Sequence, residues 1–467
     1  MTGSTETERL APSDSLMWRI EADPVLRSPV LVVGLLDRAP SRARLRAAVE
    51  RAIREIPGLR RKLVPPAAGV GAPTWREVER VSLDHHLRRL RAPAGDLDGV
   101  LGLLAPDANA PFDPERPLWS LTVIDGMDGG GAAFALRFHH AITDGMGGLR
   151  LAHHLFDRTR RPPVAVREPG PPPGHTGDTG HTASPGRPMT ARLLHDAGVA
   201  ARLAAGSARD PGAAVAGSAR LARSLWRLLA PVPPVGSPLL AGRGIDRTLH
   251  AFTVPLPELR EAAAATGGTV NDVLLSAVGG AFRAYHRHHD VPLTTLRVSM
   301  PVDRRRDDDP DGGNHFTPTR FVLPIDEPDP AVRARIAGSI VRSLRAEPAL
   351  GATDVVAAGL DLLPGPAVTR VFGRLLRDID VNVVDLRGLR EPAFLARARV
   401  ERLWAFAPAV GSACSITLLS HGDTGCLAVT CDRAAVSEPG LLTACLEAAF
   451  DEVLACARDR VPAGRSA

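Results

Sequence analysis

Residues 132–148 read AAFALRFHHAITDGMGG, and the fold is decided by this stretch. Its first half is an apolar run broken only by Arg137, which predicts a buried strand delivering His139 and His140 to its end. Thr143 to Gly148 make a turn rich in residues that tolerate positive φ, and Leu149 to Phe156 return to helical spacing. The predicted order is strand, histidine-bearing loop, helix. An imidazole at such a junction is fixed by its neighbours yet open to a cleft. That suits a general base taking a proton from a hydroxyl or amine.

Histidine doublets alone carry little information in a chain with 15 histidines. His85–His86, His153–His154 and His288–His289 are doublets too, but none has an Asp-Gly at this offset after a β-like run. A metal site would need His139, His140 and Asp144 on one ion. Adjacent residues of an extended strand point to opposite faces, so the two rings rarely share a metal. No metal is expected.

The pattern His139-His140-x-x-x-Asp144-Gly145 resembles the signature of the CoA-dependent acyltransferase superfamily, which includes peptide-synthetase condensation domains. The rest of the chain is similar, over nearly its whole length, to the bacterial wax ester synthase/acyl-CoA:diacylglycerol acyltransferase family. The matching segments are LAPSDSLMWRIE (10–21), PGLRRKLV (57–64), Trp75, LDHHLRRLRAPAGD (83–96) and PFDPERPLWSLTVIDG with its Pro117-Leu118-Trp119 triplet. In the second half they are TVNDVLLSAVGGAFRAY with Asn271-Asp272, VSMPVDRRR, Gly313-Asn314 and Leu323-Pro324.

The resemblance implies an α/β protein of two lobes with mixed sheets and a channel between them, the histidine loop at its midpoint. It implies that His140 is the general base, removing the acceptor proton as the acceptor attacks the thioester of acyl-CoA. Such proton transfer contributes about 10²–10⁴-fold. It gives Asp144 a loop-structuring role through an arginine, while Gly145 supplies backbone freedom and His139 orients the loop. Asn271 is the side-chain candidate for stabilising the oxyanion or positioning substrate, and Asp272 and Asn382 are candidates for substrate binding. Thr269 followed three residues later by Asp272 also reads as a helix N-cap with a boxed partner, so this cluster has a purely structural reading as well. Trp119 is expected to pack the lobe.

At 467 residues the chain is long enough for two lobes, each with a core. Lys plus Arg number 57 against 52 Asp plus Glu, and Lys62 is the only lysine. No aromatic-interleaved basic patch or zinc-finger spacing accompanies this balance, and Tyr285 is the sole tyrosine, so nucleic acid is not an expected partner. The five cysteines, Cys414, Cys426, Cys431, Cys445 and Cys456, lack a CxxC pair and read as small buried hydrophobes in a reducing compartment. The polar N-terminus and the absence of an 18-residue apolar run point to a cytoplasmic protein, at most peripheral on the inner membrane face or on lipid inclusions.

The expected division is a histidine-bearing lobe over 1–158, a Pro/Gly-rich linker over 159–190, a basic amphipathic connector over 191–240 and a second lobe over 241–467. A helix is expected over Arg42 to Arg54. The connector, with Arg192, Arg202, Arg220, Arg223 and Arg227, reads as a crossover helix or as one lying on an anionic membrane. The second lobe departs from the family pattern. Val384 and Asp385 stand where Pro-Gly is expected, Arg397 replaces the glycine of Leu-Ala-Gly, and His421 takes a tyrosine's place, while Asp432 still matches. The resulting expectation is an O-acyltransferase moving a fatty acyl group from acyl-CoA to a long-chain alcohol or diacylglycerol, with no cofactor. A specialised acceptor, or a silent acyl-lipid-binding role, is the alternative.

Overall fold

The run before the histidines forms strand β7 (Ala132–His139), with all eight residues buried. In this computed structural model, which describes residues 8–66, 71–142, 154–161, 236–303, 316–345 and 363–458, β7 lies between two antiparallel neighbours, β2 (Pro29–Leu36) and β6 (Trp119–Asp125). Strand β5 (Leu87–Arg91) runs parallel to β6. On the other side β2 pairs with β13 (Ala398–Phe406), and β13 with β12 (Phe394–Leu395), giving the order β12–β13–β2–β7–β6–β5. The central position explains the sequence: both faces of β7 are covered, so apolar residues run on without alternation. Gly34 is required opposite Phe134, because a Cβ there would lie 2.2 Å from the Phe134 ring.

Helix α1 (Pro12–Ile20) leads into this sheet, and α2 (Arg42–Glu55) covers it. The buried residues of α2, Leu45, Ala48, Val49 and Ala52, recur at helical spacing and join the core of the first sheet. Two further helices follow, α3 (Leu83–His86) and α4 (Leu97–Leu104), the latter capped by Asp96 accepting the Gly99 N–H at 2.8 Å. A small sheet of β1 (Glu8–Arg9), β4 (Thr74–Glu77) and β3 (Arg61–Val64) flanks the lobe.

The second sheet has the order β10 (Phe316–Pro324), β9 (Thr295–Asp303), β11 (Val381–Arg387), β14 (Cys414–His421), β15 (Thr424–Asp432), β8 (Arg247–Pro255). Strands β9, β11 and β14 are mutually parallel and the remaining pairs antiparallel, so the sheet is mixed, as expected. Its core is shared with α5 (Leu256–Thr266), α6 (Val270–His288), α7 (Pro330–Arg345) and α9 (Pro439–Arg458). Helix α8 (Gly365–Arg377) packs elsewhere: Val368, Phe372 and Leu376 meet Ile20 and Leu26 beside α1. Cys414, Cys426 and Cys431 are buried, as small hydrophobes would be, whereas Cys445 and Cys456 are only half-buried.

The chain does not divide between the sheets at one point. Strands β12 and β13 lie within 241–467 yet complete the first sheet, and β14 and β15 return to the second. Without β13, β2 would be an open edge next to the central strand. The returning hairpin is held by an isolated bridge from Asp157 to Phe394 and by Arg160, whose Nη1 donates to Arg397 O at 3.2 Å. Asn109 Nδ2 donates to Pro24 O within the first lobe and to Ile245 O across to the second, both at 3.1 Å. The linker and the basic connector fall almost wholly outside the described residues.

Candidate active site

His139 is the last residue of β7, and its N–H donates to Leu118 O at 2.9 Å. The chain turns at once: Ala141 N–H donates to His139 Nδ1 at 2.9 Å, and Ile142 N–H to His139 O at 3.0 Å. A backbone donor aimed at Nδ1 assigns the ring proton to Nε2. Nε2 lies 2.9 Å from Glu21 Oε1, within ion-pair distance though not aligned as a straight hydrogen bond. Glu21 is the residue that closes the C-terminus of α1.

Glu21 is built to stay charged. Its Oε1 accepts both the backbone N–H and the hydroxyl of Ser28, each at 2.6 Å. Burial pushes its carboxyl up, but the adjacent His139 ring and the two donors of Ser28 outweigh this and hold it below the ordinary value. Around His139 stand Trp18, with ring centroids 5.2 Å apart, and Phe112 at 6.1 Å. Arg137, two residues back on the same strand face, lies over the Phe112 ring at 3.8 Å and donates to Ala110 O. Burial pulls Arg137 down to about 10, against the charges of Asp107 and Glu21, so it remains a cation at neutral pH.

The two histidines are therefore placed differently. His139 is 0% exposed and buttressed by Glu21, Ala141, Trp18 and Phe112, while His140, the first residue of the turn, is 7% exposed. Asp144 and Gly145 lie outside the described residues. Of the other doublets, His86 is buried and stacked 4.5 Å from Trp119, and its Nδ1 lies 2.7 Å from Trp119 O. Trp119 Nε1 donates to Leu59 O at 2.9 Å, so this tryptophan packs the lobe.

Asn271, Asp272 and Asn382 sit on the second lobe. Thr269 and Asp272 form a capping box at the start of α6, with Asp272 Oδ2 accepting the Thr269 N–H at 2.8 Å. The cap thus occupies one carboxylate oxygen of a residue that is 3% exposed. Asn271 is different: its Oδ1 is buried with no partner among the described residues. Asn382, on β11, donates through Nδ2 to Ala409 O at 2.6 Å and Pro408 O at 3.4 Å, tying the strand to the loop before β14. One position earlier but one, Asp380 receives the backbone N–H of Arg297 at 2.9 Å and its guanidinium at 2.6 Å, a fully buried carboxylate with its charge matched.

Sequence reasoning passed over Glu21, Ser28 and the aromatic pair. Trp18 and Glu21 do belong to a quoted motif segment, but nothing local says that this segment folds against the histidines.

Two family models match the chain: the wax ester synthase/diacylglycerol acyltransferase catalytic domain over residues 10–274, and the WS/DGAT C-terminal domain over residues 312–453. A Mycobacterium tuberculosis protein named "Putative diacylglycerol O-acyltransferase" is 34% identical over 98% of this chain and 94% of its own length. Among solved structures, the wax ester synthase/diacylglycerol acyltransferase from Marinobacter aquaeolei VT8 superposes with a TM-score of 0.65 at 18% identity, covering 97% of this chain and 100% of that one. The first condensation domain of the calcium-dependent antibiotic synthetase superposes with a TM-score of 0.62 at 17% identity, covering 98% and 97%. Those likenesses establish the two-lobed fold. Together with the histidine-bearing strand and the ordered motifs, the family models and the mycobacterial relative place this chain in the wax ester synthase/diacylglycerol acyltransferase family.

Proposed function

We propose that this protein transfers a fatty acyl group from acyl-CoA to the hydroxyl of a long-chain alcohol or diacylglycerol, with His140 as general base. The observation that supports this most is the division of labour at the end of β7. His139 is committed to Ala141 and Glu21 and sealed from solvent, which fixes the turn that carries His140. His140 takes the acceptor proton as the oxygen attacks the thioester carbonyl. The tetrahedral intermediate then collapses, the C–S bond breaks, and the CoA sulfur leaves with that proton. No covalent acyl-enzyme and no cofactor enters the scheme.

Asp144 shapes the loop and Gly145 lets the backbone pass close to the substrate. Asn271 positions the substrate from the other lobe, its partnerless buried Oδ1 being satisfied by a substrate N–H or O–H other than the proton taken by His140. The acyl chain and acceptor meet in a channel between the lobes. Both acceptor classes are lipids, and among the described residues no helix is long and apolar enough to cross a membrane. Access to such acceptors calls for a peripheral enzyme at the inner membrane face or on lipid inclusions.

The test is CoA release from palmitoyl-CoA with hexadecanol, with dioleoylglycerol and with no acceptor, for the wild type and His140→Ala. Acceptor-dependent release falling by about 10²–10⁴-fold in the variant is expected. Equal release by the variant would refute the assignment of the base, and no release with either acceptor would refute the acceptor class.

A further inference from the structure

Residues Ala22–Pro24 and helix α8 face one another across a groove of about 520 Å³. Arg370, Arg374 and Arg377 line it at i, i+4 and i+7, which puts all three on one helix face. That face is fixed, because the opposite side of α8 packs against Ile20 and Leu26, and Thr369 Oγ1 donates to Arg19 O at 3.1 Å. The groove's carboxylate is already matched: Asp23 pairs with Arg377 and accepts the Val25 N–H at 3.1 Å. Arg370 and Arg374 are exposed and have no ion pair or hydrogen bond among the described residues. The lining thus carries two cations in excess along a shallow, solvent-open groove whose volume falls in the small-ligand range of about 300–1,000 Å³.

The groove is also placed usefully. Its wall begins at Ala22, directly after Glu21, the residue that contacts His139. Asp23 is two residues on, within about 7 Å of extended chain. A donor with several phosphates at one end, a reactive thioester at the other and an extended arm between them suits that layout. We infer that this groove holds the phosphate-bearing nucleotide end of acyl-CoA through Arg370 and Arg374, with Arg377 and Asp23 as its fixed floor. The inference rests on acyl-CoA being the donor. It also makes the donor a link between the lobes, since one wall follows α1 and the other belongs to the second half of the chain.

The competing occupant of such a surface is an anionic membrane, because Leu363 and Val371 are exposed beside the arginines, at 42% and 52%. Calorimetric binding of adenosine 3′,5′-bisphosphate and of CoA to the full-length protein separates the two, comparing the wild type with Arg370→Gln/Arg374→Gln. Both substitutions are at exposed positions, and a matching thermal melt checks the fold. The double variant is expected to bind both probes at least about tenfold more weakly, through loss of charge-assisted contacts. Its kcat/KM ratio for palmitoyl-CoA over palmitoyl-pantetheine, which lacks the nucleotide, is expected to fall by a similar factor.

Equal affinity of the two proteins for the bisphosphate would overturn the inference. So would unchanged CoA affinity with lost binding to phosphatidylglycerol vesicles, which would make the groove a membrane face. Binding is read without turnover, so the two readings fail separately. A protein that binds CoA through these arginines yet transfers no acyl group would refute the activity and leave the groove standing.

Discussion

Strands β7 and β11 each lie inside a sheet and each carry residues marked by the family motifs, but they hold them in opposite ways. β7 is buried throughout and apolar but for Arg137 until the ladder ends at His139. β11 begins with its charge fully matched, at the Asp380–Arg297 pair just before it, spends Asn382 on backbone carbonyls, and then half-buries at Asp385 a carboxyl whose charge Arg387 only partly matches. A strand end lets the chain turn at once and gives an imidazole a fixed backbone support. A strand interior ties polar groups down, or strains them. The end of β7 is therefore where the proposed chemistry is put, while β11 serves to hold the second lobe in register.

The sharpest way to break the contrast is at Glu21. Glu21→Ala strands the Ser28 N–H, the Ser28 hydroxyl and His139 Nε2 in the interior. Removing one partner from a buried charged set costs about 3–5 kcal/mol, and urea denaturation should read a loss in that range. Glu21→Gln keeps an acceptor for Ser28 but not the charge facing His139. It should lose less stability and still lower kcat/KM, by about tenfold or more, since the turn that presents His140 is less firmly set. If Glu21→Gln is as active as the wild type, His139 does not orient the loop through this contact.

Asp385 tests β11. Burial pushes its carboxyl up to about 6, and Arg387 only partly offsets this. The unfolded chain ionises near its ordinary value of 3.8. Below that value both states are protonated and the group has no effect. Between about pH 4 and 6 the unfolded state releases its proton first, so stability falls as pH rises, and above pH 6 the full cost stands. A shift of this size is worth up to about 3 kcal/mol. Asp385→Asn should therefore be more stable than the wild type at pH 7.5 and no more stable at pH 3.5, with the thermal melts converging between. Equal stabilisation at both values would mean that burial of the charge is not the cause.

How much of this could be read from the sequence follows the range of the interactions. The β7 strand, helix α2 and the capping box of Thr269 and Asp272 depend on neighbours a few residues apart, and all three form where spacing predicts them. Glu21 against His139, the crossing of β12 and β13 into the first sheet, and α8 against α1 join distant parts of the chain. No local pattern specifies those partners. The departures from the family pattern fall between these cases. Val384 and Asp385 in place of Pro-Gly let β11 keep its pairing with β14 from Val381 to Arg387, because Pro lacks the ladder N–H and Gly weakens a strand.

The smallest of these effects is at the turn between β12 and β13. Ala396 and Arg397 sit there at φ 48° and 75°, the left-handed region that a two-residue hairpin of this hand demands at both central positions. A side chain in that region costs roughly 1–2 kcal/mol where glycine pays nothing comparable. The family pattern has glycine where this chain has Arg397. The strain persists because the hairpin is pinned from outside, by the Asp157–Phe394 bridge and by Arg160 donating to Arg397 O. Arg397→Gly should relieve it and stabilise the protein by about 1 kcal/mol, less a part returned as backbone freedom in the unfolded chain. A thermal melt reads that gain directly. A loss instead would mean that the Arg397 side chain contributes more to the hairpin than its backbone conformation costs, and that the departure from glycine here is itself stabilising.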